Sequence, residues 1–333
     1  MFLFSQIELK RFLLSILITL VLLFILFSQI SFRDLFTLLI QIDPLYAMLG
    51  GAAYFLATLF RALRFRSLIY SKDISLDQLF RISVFYHLSL MVLPSKLGEL
   101  SYPYFLNRIG GFTITEGLAS LIAARVYDFF TILMIFLFSS LGFQRLFKVS
   151  LPFVLLLTLL SILLILLVFF YMDRLLILIS NTCGKIFKTI RKEESKTALW
   201  VQKKIHQTSE DFAAIQAKKT YLAVGLTTLS SWFMIFLTFQ AFLLGFGVEV
   251  PFVKMIFGST VAVIGNALPI GGIGNWGTLE VGWAVGFLMT GLSKEQAIAT
   301  GFGVHILVFI TCGLLGLISW ITFEKKKAPL PNS

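Results

Sequence analysis

Charged residues are scarce in this chain. They make up 14% of its 333 residues, whereas hydrophobic residues make up 58%. A soluble protein of this length needs far more polar surface, so the composition excludes a soluble globular fold. Cysteine is scarce too, because only Cys183 and Cys312 are present. Two such distant cysteines exclude a disulfide framework and give no metal-ligand spacing.

Catalytic motifs are also missing. H-E-x-x-H, G-x-S-x-G and P-loop patterns are absent, and the three histidines (His87, His206 and His305) are far apart. Positions 272–277 fit G-x-G-x-x-G, but that pattern indicates dinucleotide binding only between a strand and a helix of a βαβ unit. Here it lies in a membrane-apolar stretch. We therefore predict no enzymatic activity, no cofactor and no metal site.

Long apolar runs are abundant. A helix of roughly 20 residues crosses the hydrocarbon core of a bilayer. Six stretches are long and apolar enough for this: 12–30, 45–60, 118–141, 151–171, 221–246 and 297–320. The first lacks a small-residue cleavage site, so we interpret it as a retained anchor and not as a secretory signal.

The net charge is +11, and the basic residues lie close to the ends of these apolar runs. Between positions 172 and 219, ten Lys or Arg residues stand against five Asp or Glu, and smaller basic clusters lie at 10–11, 61–72 and 325–327. Basic clusters beside membrane spans mark the cytoplasmic side. They place both termini and the loop 172–219 in the cytoplasm, and we expect a bacterial cytoplasmic (inner) membrane. This distribution does not indicate a nucleic-acid surface, which gathers basic residues on one folded face.

Two apolar regions, 80–110 and 251–292, do not fit a simple spanning topology. Each must begin and end on one side of the membrane, and each has two arms too short to cross. The residues that break them are Pro94 and Gly98 in the first region and Pro269, Gly272, Gly274 and Gly277 in the second. Irregular backbone at membrane depth requires surrounding protein or a wet cavity. The expected fold is all-α: a polytopic membrane protein of about six transmembrane helices and two re-entrant helical hairpins.

The two halves of the chain resemble each other. Both hairpin breaks contain a Leu-Pro pair followed by glycine, and the segments after the hairpins, 113–120 and 293–300, align. This alignment brings Arg125 opposite His305. Because one copy enters from the cytoplasm and the other from outside, we predict an inverted repeat. The predicted repeats are about 44–141 and about 220–322, within a single membrane domain.

Ionisable residues inside the spans are functional candidates, because lipid makes an unpaired charge costly. Arg125 and Asp128 lie three residues apart on one helical face, where they can pair. They form either a permanent structural ion pair or a site where Arg125 binds a lipid phosphate through two donors. Lys96 and Glu99 lie at the tip of the first hairpin. They belong either to a solvated turn at the cytoplasmic surface or to a gate.

The second hairpin carries a comparable set. Glu280 lies early in the outgoing arm, where it either caps the N-terminus of that arm or binds a cationic headgroup or a proton. Asn275 lies in the glycine turn, whose exposed amides can bind an anion. His305 is either a satisfied interior histidine or a group that titrates near neutral pH. We expect Arg61 and Arg64 to snorkel to the cytoplasmic interface.

These motifs resemble a known family. They are L-P-x-x-x-G-E-L-S-Y-P at 93–103, A-R-x-x-D at 124–128 and L-P-x-x-G-x-x-x-x-G-T-x-E at 268–280. Over nearly its whole length the chain resembles the lysylphosphatidylglycerol synthase transmembrane-region family. This is the flippase-like membrane part of the multiple-peptide-resistance factor, and it also occurs as stand-alone proteins. The soluble acyltransferase-like domain of the full-length factor has no counterpart in this sequence, so the resemblance implies lipid translocation or handling and not lipid synthesis.

The leading hypothesis is a flippase-like transporter with membrane lipids as its partners, moving a phospholipid or a polyprenyl-phosphate-type lipid between leaflets. One alternative is a membrane enzyme, or a subunit of one, that acts on lipid-linked sugars. Another is a small-solute transporter coupled to protons through Glu280 or His305.

Overall fold

The computed structural model describes residues 16–17, 19–93, 97–141, 151–189, 195–267 and 273–327. Their regular secondary structure is helical. The helices are α1 (19–27), α2 (Phe32–Ile40), α3 (Pro44–Leu68), α4 (Leu76–Val92), α5 (Ser101–Gly110), α6 (Ile114–Ser140), α7 (Leu151–Phe170), α8 (Met172–Thr189), α9 (Lys196–Ala217), α10 (Tyr221–Gly245), α11 (Phe252–Ala267), α12 (Thr278–Thr290) and α13 (Lys294–Lys327). A short 3-10 turn, Leu97–Leu100, precedes α5.

Four of these helices, α3, α6, α10 and α13, are long and apolar enough to cross a membrane. They confirm four of the six predicted spans. The predicted span 151–171 forms the 20-residue helix α7, whose leucines are largely exposed, as lipid-facing side chains are; Leu159 is 64% exposed and Leu164 62%. The predicted span 12–30 lies partly outside the described residues and is helical from 19 to 27.

Side-chain caps fix where the long helices α3 and α6 begin. The carboxylate of Asp43 accepts a hydrogen bond from the Leu45 amide (2.8 Å), and Pro44 occupies the first helical position of α3. The hydroxyl of Thr113 caps α6 by accepting from the Glu116 amide (3.1 Å). These caps satisfy amide groups that lack a partner in the first helical turn.

The short helices pack in pairs. α4 and α5 lie side by side, joined through the 3-10 turn, and α11 packs along α12. In the second pair small residues bring the backbones together: a Cβ on Gly286 would lie 2.2 Å from the Gly258 oxygen, and a Cβ on Gly282 2.9 Å from the Ala262 Cα. Such close approach is typical of small-x-x-x-small contacts between membrane helices.

The order long, short, short, long occurs twice, as α3 to α6 and as α10 to α13. The two long helices α3 and α10 pack against each other, α4 packs on α13, and α11 packs on α6. One buried core contains Phe65, Tyr86 and Tyr102, and a second contains Trp283 and Phe287. Each core is built mainly from one half of the chain, with some residues from the other half, and the halves also exchange contacts through their short helices.

The predicted cytoplasmic loop 172–219 is largely helical. Its Lys/Glu/Gln-rich stretch, around 195–216, is typical of an interfacial amphipathic helix, and α9 forms there and packs against α8 and α6. The sequence analysis did not predict α8 or α2. In α9, Phe212 is fully buried, whereas Trp200 is 61% exposed.

Candidate functional site

A cluster of charged side chains joins α3 and α6 in the interior. An Asp128 oxygen accepts from Arg64 Nη1 (2.6 Å) and from the indole Nε1 of Trp232 (3.0 Å). The other oxygen of Asp128 lies 3.4 Å from Arg125 Nη1. The predicted Arg125–Asp128 pair is therefore present, but Arg64 is the closer partner of Asp128.

Arg125 makes its closer ion pair with Glu99 of the first hairpin. Arg125 Nη2 lies 2.7 Å from Glu99 Oε1, and Nε lies 3.2 Å from Oε2. The Tyr86 hydroxyl donates to Glu99 Oε2 (2.6 Å) and accepts from Arg125 Nη2. The side chains of Arg125 and Glu99 are 36% and 25% exposed, while that of Arg64 is 4% exposed. Glu99 is thus part of the internal cluster and not a solvated turn.

The expectation that Arg61 and Arg64 snorkel to the interface is wrong. The helix that carries them continues to Leu68, one to two turns beyond both residues. Arg64 is 3% exposed. Nη1 of Arg61 is buried without a hydrogen-bond partner among the described residues, and the guanidinium carbon of Arg61 lies 6.0 Å from the centre of the Tyr54 ring.

Several polar atoms of this region have no partner among the described residues. They are the Tyr54 hydroxyl, Arg61 Nη1, Arg64 Nε and the Ser83 hydroxyl. An unsatisfied buried polar atom is costly, so it indicates a bound water, ion or ligand.

The cluster also carries excess positive charge. Arg61, Arg64 and Arg125 stand against Asp128 and Glu99. Because a net charge in a low-dielectric interior requires compensation, an anion fits this site.

A buried acid–base pair joins α12 to α13. Glu280 Oε1 lies 2.6 Å from His305 Nδ1, and the two side chains are 0% and 3% exposed. The other oxygen of Glu280 accepts from the Gly277 amide (2.7 Å), which confirms that Glu280 caps the outgoing arm. The indole of Trp276 stacks on the His305 ring with the centroids 4.2 Å apart. His305 is therefore an interior histidine with a carboxylate partner.

The segment before α12 contacts the end of α4. The Gly274 amide donates to the Leu93 carbonyl (3.3 Å), and a Cβ on Gly274 would lie 2.0 Å from the Met91 oxygen. Gly274 has a φ of +59°, which L side chains rarely adopt. Close contact and backbone conformation both require glycine here. Next to it, Asn275 has a φ of +64° and accepts from the Thr278 hydroxyl through its carbonyl (2.9 Å).

The predicted site residues thus fall into three places. Glu99, Arg125 and Asp128 form the first cluster, Glu280 and His305 the buried pair, and Gly274, Asn275 and Gly277 the turn between the hairpins. Gly98 packs against the first hairpin arm, since a Cβ there would lie 2.8 Å from the Leu90 Cα. Lys96, Pro94, Pro269 and Gly272 lie outside the described residues.

Sequence reasoning missed four contributors: Arg64, Tyr86, Trp232 and Trp276. The spacing of Arg61 and Arg64 could have indicated their position. Residues three apart share a helix face, and both follow an apolar run without a break, as they would in a helix that continues past position 60. No local pattern distinguishes Tyr86 or Trp232 from the other aromatic residues of this chain.

The chain was also compared with known proteins. A family model described as "Lysylphosphatidylglycerol synthase TM region" matches residues 12–316. No curated protein and no solved structure matches the chain. The matched region covers the two hairpins, the arginine cluster and the Glu280–His305 pair, and the chain belongs to the lysylphosphatidylglycerol synthase transmembrane-region family.

Proposed function

We propose that this protein is a lipid flippase that moves an anionic phospholipid or polyprenyl-phosphate-type lipid across a bacterial inner membrane. Both termini lie in the cytoplasm in this proposal. The observation that carries it is the arginine cluster, whose polar atoms without a partner lie in the interior of a membrane protein. Membership of the family adds support, because its name refers to a lipid.

An inverted repeat is the architecture we propose for this activity. In each half, an acid of the short-helix pair contacts a basic residue of the long helix that follows: Glu99 contacts Arg125, and Glu280 contacts His305. The alignment that places Arg125 opposite His305 did not use these acids, so the two contacts support the repeat independently. Such repeats form alternating-access transporters with a site between broken helices.

The junctions after the two hairpins support the same interpretation. Gly111 and Gly291 both end a short helix with positive φ, +69° and +103°. Two residues later, Thr113 and Ser293 each accept a hydrogen bond from the amide three positions ahead, at 3.1 and 3.2 Å. The matching turn and cap are what two copies of one ancestral unit would retain.

Arg125 and Arg61 are the residues we assign to the lipid phosphate. Arg125 is the exposed member of the cluster, and Arg61 keeps a donor without a protein partner. A phosphate entering the site would compete with Glu99 for Arg125 and add the charge that the cluster lacks. Arg64, fully enclosed against Asp128, would hold the helices together.

The contact between the hairpin tips is the proposed barrier between the two sides. The Gly274 amide and the Leu93 carbonyl close it. Release of Glu99 from Arg125 by an incoming phosphate would loosen the 3-10 turn, which carries Glu99 and packs on α4, the helix that ends just before Leu93. The lipid leaves chemically unchanged in this scheme, because the protein supplies charge compensation and a path, not bond cleavage.

A reconstitution assay tests the proposal. Protein in vesicles that contain fluorescent phosphatidylglycerol or polyprenyl phosphate should increase the fraction of label that an outside quencher reaches. Arg125→Gln and Arg61→Gln should each lower the rate at least tenfold. Arg174→Gln is the matched control, since Arg174 lies on α8 outside the cluster and its loss should leave the rate unchanged.

Two results would contradict the proposal. One is no acceleration with either lipid by wild-type protein that is correctly folded by circular dichroism. The other is a mass change of the lipid on incubation with the protein, which would favour an enzyme acting on lipids.

A further inference from the structure

A second polar site lies where α3 ends. It is a cavity of about 290 Å³ with the charged side chains of Arg66, Lys72, Asp73 and Lys218 in its wall, next to Tyr70. Three separate parts of the chain contribute to it: the last turn of α3, the link 69–75 and the residue that follows α9. The cavity is therefore a product of the tertiary fold and not of one basic stretch.

The cavity has an excess of positive charge. Three of the side chains that line it are cations and one is a carboxylate, and the buried carboxylate of Glu116 behind the wall also acts on Lys218. Lys218 Nζ donates to the carbonyl oxygens of Ile69 (2.5 Å) and Arg66 (3.4 Å), which leaves the third ammonium hydrogen for another acceptor. Partial burial lowers the pKa of Lys218, and the Asp73 carboxylate opposes this shift. A further anion would stabilise this ammonium.

The other two cations are also positioned to bind. Lys72 Nζ donates to the Gly111 carbonyl (3.1 Å) and lies 4.6 Å from the centre of the Phe112 ring. These two contacts hold the long Lys72 side chain in place before a ligand binds. Within the described part of the chain the Arg66 side chain makes no hydrogen bond, and it is exposed. Its five N–H donors are available to phosphate oxygens.

A buried carboxylate holds the wall of the cavity in place. Glu116, 1% exposed, accepts from the amides of Tyr70 and Ser71 (both 3.1 Å) and from the Ser71 hydroxyl (2.6 Å). The Tyr70 hydroxyl in turn donates to Asp211 of α9 (2.5 Å). The link 69–75 is thus fixed before any ligand arrives, which lowers the cost of binding.

We propose that this cavity binds a phosphate group, carried by an anionic lipid headgroup of the adjacent leaflet or present as the free anion. Arg66 and Lys72 supply the contacts, and Lys218 closes the site from the α9 side. The basic residues mark this end of α3 as cytoplasmic, and the cytoplasmic leaflet is rich in anionic lipid. The site is separate from the arginine cluster: Arg64, two residues before Arg66, is enclosed in the interior, while Arg66 is exposed. The proposal therefore holds or fails independently of the flippase function.

Thermal unfolding of purified protein in detergent tests the proposal. The apparent Tm is measured against increasing phosphatidylglycerol, phosphatidylcholine or inorganic phosphate, with sodium chloride added to equal ionic strength. Phosphatidylglycerol or inorganic phosphate should raise Tm more than phosphatidylcholine or chloride does, since a ligand stabilises the state that binds it. The double variant R66Q/K72Q should weaken the apparent affinity at least tenfold. Lys203→Gln, an exposed lysine on α9, is the control for loss of surface charge.

The outcomes separate the sources of the phosphate. Stabilisation by phosphatidylglycerol alone assigns the site to a lipid headgroup, and stabilisation by both assigns it to the phosphate that they share. Stabilisation by inorganic phosphate alone assigns it to a soluble ligand. Each of these supports the proposal when R66Q/K72Q abolishes the effect. The proposal would be overturned if phosphatidylglycerol, phosphatidylcholine, inorganic phosphate and sodium chloride all gave the same Tm. It would also be overturned if K203Q lost as much of the ligand-dependent rise in Tm as R66Q/K72Q does. Arg66→Gln alone provides the same test if the double variant does not fold, because the Arg66 side chain makes no hydrogen bond to the residues that the structure describes.

Discussion

Removal of the charge on Asp128 is the sharpest test of the arginine cluster. Asp128→Asn keeps the size of the side chain and an acceptor for Trp232, but it leaves Arg64 and Arg125 with less compensation. Asp128 is 9% exposed, and its contact with Arg64 Nη1 is 2.6 Å. Loss of one partner from a buried ion pair costs about 3–5 kcal/mol. At roughly 2 °C per kcal/mol for a chain of this size, the apparent Tm should fall by about 6–10 °C.

The assay is thermal unfolding in detergent, with Glu210→Gln as the matched control. Glu210 pairs with His206 on the surface, where the two side chains are 68% and 60% exposed. A pair of this kind contributes about 0–1 kcal/mol, so the control should melt within about 2 °C of wild type. The double variant R64Q/D128N should be less unstable than the sum of its single variants, because neither charge is then left alone. The idea that Arg64 needs Asp128 would be refuted if D128N had the same Tm as the Glu210→Gln control. It would also be refuted if the loss of stability in R64Q/D128N equalled the sum of the losses in the two single variants.

Two further predictions concern packing and the link after α3. Gly286→Ala should cost about 1–3 kcal/mol in thermal unfolding, because the new methyl group would lie 2.2 Å from the Gly258 oxygen. Gly313→Ala, where a Cβ meets nothing within 4 Å, should be neutral or slightly stabilising, and equal Tm values for the two would contradict the close approach. Glu116→Ala should make the link 69–75 sensitive to limited proteolysis, since it removes the acceptor of the Ser71 amide and hydroxyl. Unchanged cleavage would show that other contacts hold this link.

The broad architecture could be predicted because it depends on length and composition. A run of about 20 apolar residues must be helical in a bilayer, where each backbone polar group needs an internal partner. The same reasoning located Glu280 at the start of α12, since an acid in a first helical turn is a local feature. Its contact with the Gly277 amide involves residues only three positions apart.

The contacts of the site could not be predicted in the same way. Glu99 and Arg125 are 26 positions apart, and Asp128 and Trp232 are 104 apart. Their meeting depends on how α3, α6 and α10 pack, and an apolar helix in a membrane has little amphipathic pattern to show which face is buried. Arg61 and Arg64 were placed at the interface because the apolar run was taken to end at position 60, whereas the helix ends at Leu68.

The α11–α12 pair is packed very differently along its length and at the turn that joins its two helices. Along the pair, the backbones of α11 and α12 approach so closely that a Cβ on Gly286 would lie 2.2 Å from the Gly258 oxygen. At the tip, the backbone link seen among the described residues is the hydrogen bond from Gly274 to Leu93. A bond of this kind contributes about 1 kcal/mol, little more than thermal energy. In the proposed function, α11 and α12 would therefore move together, and the contact between Gly274 and Leu93 would open for the lipid and form again after each passage.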